Sequence, residues 1–261
     1  MKNKKSLLYT LFAIAIILFA TTTVFASDEI TFQEKFYLNF IKDNRWEYLS
    51  RGLLRTLEIS FFAVIIGIIG GFIIAILRST FDTIEKKNWF TKTLNWILKA
   101  YITVIRGTPA VIQLMIIYYV IFTSPNASKL FAACISFGVN SSAYIAEIVR
   151  SGIMSVDSGQ FEAGRSLGFS HAGTMWHFIL PQAFKNILPA LGNEFIVLVK
   201  ETSISGYIGI EDLTKGGDII RSRTYEAFMP LIAVALIYLA IVMFLSMLVG
   251  KLERRLKTDE K

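Results

Sequence analysis

An all-α integral membrane protein is the fold class this sequence predicts, and three observations predict it. The 261 residues are 54% hydrophobic with a mean hydropathy of +0.53, above the roughly 45–50% apolar content of soluble domains. Beyond the N-terminus, five runs are apolar enough to cross a bilayer. Lysines and arginines gather at the ends of those runs, the pattern that orients a chain in a membrane.

The elements follow in order. Residues 1–27 have a cationic start, an apolar middle and small residues near Ala26, and read as a signal peptide or an extra transmembrane segment. Residues 28–50 are mixed in sign and aromatic, an extracytoplasmic or interfacial segment. The membrane core is expected over 51–250. Its first span, 59–77, is uncharged, and Gly67 and Gly71 give it a small-xxx-small packing face. The second, 108–128, opens at the run Arg106-Gly-Thr-Pro109; proline suits a first helical turn, and Arg106 can snorkel to headgroups. The third, 130–146, is short and needs neighbours. The fourth, 187–209, is interrupted by Asn193, Glu194, Lys200 and Glu201, whereas the fifth, 227–250, is the longest clean run and stops at the charged tail 251–261.

Arg78, Lys86, Lys87, Lys92, Lys99 and Arg106 lie between the first two spans, and Lys251, Arg254, Arg255 and Lys257 follow the last. Counting crossings puts the first loop, the third loop and the tail on one side, expected to be cytoplasmic. Arg51 and Arg55 weigh mildly the other way.

Several function classes drop out. The net charge of +7 fits cationic loops, and no nucleic-acid-binding module accompanies it. The single cysteine, Cys134, allows no internal disulfide, and His171 and His177 are spaced to face different ways on a helix, so no metal site and no cofactor is expected. The only Gly-Lys pair, Gly250-Lys251, is followed by Leu252, so no phosphate-binding loop is present. With no nucleophile–base constellation either, the chain is not expected to be an enzyme.

Residues 159–184, GQFEAGRSLGFSHAGTMWHFILPQAF, are too polar to span yet rich in helix formers. A short helix over 161–167, a turn at Gly168, a cap at Ser170 and a second helix with Met175, Phe178 and Ile179 on one face are expected. From pattern alone this unit is either a rigid cytoplasmic docking element or an amphipathic hairpin on the membrane surface.

EAGRSLG at 162–168 followed by FILP at 178–181 resembles the EAA motif of ABC importer permeases, with Gly164 in place of an alanine and Phe178 in place of an isoleucine. RGTPAVIQLMIIYY at 106–119, AYIAEIVRSGI at 143–153 and LVKETSISGYIG at 198–209 resemble the polar amino acid subgroup, so the likeness covers roughly residues 50–250. It implies a five-span type I ABC importer permease core. It also implies docking of ABC ATPase subunits on Glu162, Ala163, Gly164, Gly168, Phe178, Leu180 and Pro181. A second permease copy or paralogue and an extracytoplasmic substrate-binding protein would complete the machine, with ATP hydrolysis on a partner chain.

Charges at mid-span are costly facing lipid, about 2.5–3.5 kcal/mol on insertion scales, so Glu194 and Lys200 are expected to face the bundle or a wet cavity. With Asn193, Thr202 and Ser203 they are candidates for a pathway that takes a substrate bearing both charges; a helix–helix or dimer salt bridge explains them equally well. Glu147 is expected to pair with Arg150. The rival functions are an ion-coupled secondary transporter, whose inverted repeats are not visible here, and a membrane scaffold without transport.

Overall fold

The computed structural model describes residues 30–83, 88–124 and 126–258, and the chain divides into two compact units at Arg45/Trp46. The expected leader 1–27 lies outside the described residues. In the first unit α1 (Phe32–Phe36) starts at a capping box, in which the Thr31 hydroxyl accepts from the Glu34 amide and the Glu34 carboxylate accepts from the Thr31 amide at 3.0 Å. A π turn (Tyr37–Ile41) and a tight turn (Lys42–Asn44) follow, and Phe32, Phe36, Tyr37 and Ile41 are exposed.

The second unit contains α2 (Trp46–Thr83), α3 (Trp89–Gly107), α4 (Ala110–Ile116, continued by a π turn to Ile121) and α5 (Lys129–Met154). Then come α6 (Ser158–Ser166), α7 (His171–Thr174), α8 (Leu180–Glu201), α9 (Leu213–Thr224) and α10 (Phe228–Thr258). Helices α2, α5 and α10 are each long and apolar enough to cross a membrane, and the bent pair α3–α4 passes the same test jointly. At 22 residues α8 has the length to span, about 33 Å at 1.5 Å per residue.

Helices α2 and α5 run parallel along the small-residue seam anticipated at Gly67 and Gly71. A Cβ on Gly67 would stand 2.8 Å from the Ser141 side chain, and one on Gly71 2.6 Å from Ile145. Helix α8 packs antiparallel on α5, with the Asn186 amide donating to Ser155 Oγ at 2.9 Å and Ser141 Oγ donating to Glu194 at 2.9 Å. Among these spans hydropathy and burial run in opposite directions. Of the most apolar stretch of α10, with mean hydropathy 2.8, 6% is buried; of that of α5, with mean hydropathy 1.3, 72% is buried. Lipid solvates apolar side chains as well as a protein core does, so close packing here selects small and polar residues.

Two expectations need correction. The cationic loop between the first two spans is largely the helix α3, started by Asn88, whose side chain accepts from the Thr91 amide at 2.8 Å. And 108–128 is not one helix: only Ala110–Ile121 is helical, and the axis turns by 110° between α3 and α4. Thr108 is driven to extended backbone (φ −119°, ψ 147°) by the following Pro109. The Gln113 amide then braces the corner, donating to the carbonyl of Ile105 at 2.7 Å and to Thr108 Oγ1 at 2.7 Å, while its oxygen accepts from Asn140 at 2.9 Å. The third and fourth runs are longer or displaced: α5 reaches Met154, and α8 starts at Leu180 and tightens into a 3-10 helix over Thr202–Ile208.

Helix directions give the bundle two ends. At one meet the C-terminal ends of α2 and α5, α6, α7 and the start of α8, while the α3–α4 corner sits beside the middle of α5 through the Gln113–Asn140 bond. At the other lie the start of α2, the C-terminal end of α8 and α9, which is buttoned to α2 where the Leu213 amide donates to Thr56 Oγ1 at 3.2 Å.

Candidate functional site

The element at 158–179 is a fixed hairpin. Asp157 caps α6 by accepting from the Gly159 amide at 2.7 Å. The helix stops in a Schellman turn: the Gly168 amide donates to Arg165 O at 3.0 Å and the Phe169 amide to Gly164 O at 3.2 Å, with Gly168 at φ +86°. The Arg165 guanidinium closes the turn by donating to Phe169 O at 2.7 Å, and Ser170 caps α7 by accepting from the Gly173 amide at 3.1 Å. Between the two arms Gly164 is buried against Thr174, where a Cβ would lie 2.6 Å from Thr174 Cγ2. This contact explains the departure from alanine at position 164. The half-buried Phe178 takes Phe169 edge-on at 5.1 Å, so a large ring at 178 fills the space beneath the turn. Leu180 is half-buried and Pro181 is exposed in the first turn of α8.

The outer surface of the hairpin is open. Glu162, Ala163 and Gly168 are exposed, and a Cβ on Gly168 would meet nothing within 4 Å. Leu167 and Trp176 are 72% and 71% exposed, unusual for large apolar side chains in a polar segment. From Ser170 the chain passes through α7 and the π turn Met175–Ile179 straight into α8, with no loop between.

That helix carries one predicted pathway residue into a cleft of about 530 Å³ between α3, α5 and α8. Arg106, Tyr144, Glu147, Ser151, Asn186 and Glu194 line it. The Arg106 guanidinium sits 5.2 Å from the Tyr144 ring centroid, a cation–π contact. Glu147 accepts from Arg150 Nε at 3.0 Å, as expected, and lies 3.9 Å from Arg78. Glu194 is buried, holding Ser141. The cleft thus offers two carboxylates and one guanidinium.

The other pathway candidates are elsewhere. Lys200 is exposed, six residues along α8 from Glu194 and on another face; Asn193 is exposed, and Ser203 is half-buried beyond the end of α8. Thr202 is buried and satisfied, its hydroxyl donating to Val199 O at 2.9 Å. Among the described residues Glu194 and Lys200 form no ion pair, and the cation facing Glu194's cleft is Arg106. Arg106, Tyr144, Ser151 and Asn186 went unseen as cleft residues in the sequence because the cleft depends on the 110° corner.

Comparison with known proteins fits this architecture. Residues 86–258 match the family described as binding-protein-dependent transport system inner membrane component. The arginine transport system permease protein ArtQ of Bacillus subtilis is 37% identical over 216 residues, 82% of this chain and 94% of that protein. The glutamine transport system permease protein GlnP of Escherichia coli K12 is 38% identical over 212 residues, covering 80% and 93%. A crystal structure of an amino acid ABC transporter with histidines contains a chain 44% identical to this one, with a TM-score of 0.73 and coverage of 80% and 94%. The methionine ABC transporter MetNI, 21% identical with a TM-score of 0.68, shares the fold. The chain therefore belongs to the family of binding-protein-dependent transport system inner membrane components, and is a permease subunit of an ATP-binding-cassette importer with the type I permease core.

Proposed function

We propose that this permease takes up polar amino acids across a bacterial cytoplasmic membrane, driven by ABC ATPase subunits that dock on the 158–179 hairpin. The observation that carries the reading is the hairpin itself, internally rigid but with Glu162, Ala163 and Gly168 facing outward and uncovered. A second permease copy or paralogue completes the pathway, and an extracytoplasmic binding protein delivers substrate. The relatives named for arginine, glutamine and cystine transport support a polar amino acid as cargo.

The hairpin supplies a mechanical route. A push on α6 reaches α7 through the Gly164–Thr174 contact, and α7 continues without a loop into α8. Glu194, two-thirds of the way along α8, then shifts against α5 and the Arg106 corner. An amino acid brings an ammonium group to the Glu194 side of the cleft and a carboxylate to Arg106, whose planar fork suits it. ATP binding biases the equilibrium between the two orientations of the bundle, because substrate binding alone cannot do uphill work.

The test uses the reconstituted complex with Ala163→Arg. That side chain points outward, so the thermal midpoint of the permease is expected to hold while uptake and substrate-stimulated ATP hydrolysis fall by more than about tenfold, the loss expected when a buried interface receives an unpaired charge. Uptake at the unaltered rate would overturn the docking role, and uptake by the permease without ATPase subunits would favour an ion-coupled transporter.

A further inference from the structure

Helix α3 has a surface that neither the docking hairpin nor the cleft uses. Its side chains fall into stripes seven residues apart, which on an α-helix stay in line to within about 20°. Asn95 and Ile102 are buried, Ile102 packing on Ala143 and Ala146 of α5. About 60° around the helix from them come Lys92 and Lys99, both exposed. A similar step further come Trp89 and Trp96, 79% and 69% exposed. Beyond these, on the side opposite the lysines, lie Phe90, Ile97 and Val104, all exposed.

This order is a polarity gradient. Cations stand on one edge, indoles point away from the protein, and an apolar edge faces the other way. A soluble partner would have to cover three chemically different faces, whereas the water–headgroup–acyl boundary of a bilayer presents them in this sequence. The 110° corner adds an independent constraint: α4 runs alongside α5 from the Gln113–Asn140 bond to the Phe122–Phe131 contact, so α3 is turned across the direction of α5. In that pose the apolar edge sinks toward acyl chains, the tryptophans sit at headgroup depth and the lysines face the phosphates.

We infer that α3 is an in-plane helix whose Lys92–Lys99 edge, backed by Trp89 and Trp96, binds anionic phospholipid headgroups. The two ammonium groups are set about 10 Å apart along the axis by their seven-residue spacing, close to the separation of neighbouring lipid headgroups. Because Arg106, in the last turn of α3, lines the cleft, lipid held on this edge fixes the corner from outside.

The experiment places the full chain, with its ATPase partners, in phosphatidylcholine vesicles with and without an equal share of phosphatidylglycerol. Trp46→Phe and Trp176→Phe leave Trp89 and Trp96 as the permease's only indoles, and fluorophore-free ATPase subunits keep the signal theirs. Lipids brominated in the upper acyl chain serve as quenchers. Brominated phosphatidylglycerol should quench more strongly than brominated phosphatidylcholine, with local enrichment of up to about fivefold per lysine. Lys92→Gln with Lys99→Gln should remove that preference at unchanged thermal midpoint, and Lys92→Arg with Lys99→Arg should keep it. Equal quenching by the two lipids overturns the inference, as does a preference that survives the glutamine pair. Absence of quenching by either lipid also overturns it, and would mean that a second copy or another protein covers the tryptophan face.

Discussion

The two ends of the bundle carry similar-looking polar segments that are finished in opposite ways. Helix α9 and hairpin α6–α7 each start at a side-chain cap and each owe a close approach to glycine. In α9 the approach is internal: a Cβ on Gly216 would stand 2.4 Å from the Tyr48 carbonyl oxygen, and one on Gly217 2.4 Å from Val234. Asp212, which caps α9 by accepting from the Thr214 amide at 2.9 Å, is wholly buried. The hairpin instead turns its glycine at 168 into open space and leaves Leu167 and Trp176 uncovered. The glycines of α9 are closed over by their own chain, whereas the turn glycine of the hairpin faces open space. That difference is what the proposed docking of a second protein on the hairpin would use.

Alanine at the two glycines should separate the ends most sharply. Gly216→Ala drives a Cβ into backbone that cannot yield, and is expected to cost about 3 kcal/mol or more, enough to empty the membrane of folded protein. Gly168→Ala meets no atom and pays only for a positive φ, about 1–2 kcal/mol. Thermal unfolding in detergent measures both; equal losses would erase the contrast.

The next effect is electrostatic and confined to the α9 end, outside the spanning runs. Burial pushes the Asp212 carboxyl up from 3.8 to about 6, against the opposing pull of the Thr214 and Lys215 amides. A carboxyl that binds its proton more tightly when folded loses stability as pH rises from about 4 to about 6 and changes little above that. The slope approaches about 1.4 kcal/mol per pH unit inside the window. Asp212→Asn keeps a capping oxygen and should flatten the profile; an unchanged slope would assign it to other groups.

The difference between the ends was only half legible in the sequence. Gly168, Ser170 and the EAA-like spacing revealed the hairpin because turn and cap chemistry is local. The apolar runs revealed α2 and α10, the two helices of highest mean hydropathy. Residues 210–226 gave no comparable signal, since Gly216 matters only through Tyr48, far away in the chain. The cleft was missed for a related reason. Pro109 was read as a helix opener, which it is, but the corner also needs Gln113 and Asn140 to hold it, and no periodicity reports such a bond. Lys200 was drawn toward the pathway by the cost of a mid-span charge; in the fold it is exposed and stands on another face of α8 from Glu194.

The most direct measurement is a cysteine crosslink on the exposed face of α6. In the assembled transporter with Cys134→Ala and Ala163→Cys, a short bifunctional reagent should join position 163 to an ATPase subunit, in a yield that changes when ATP binds. Failure to crosslink, together with labelling of position 163 by an impermeant maleimide from outside the cell, would contradict the account.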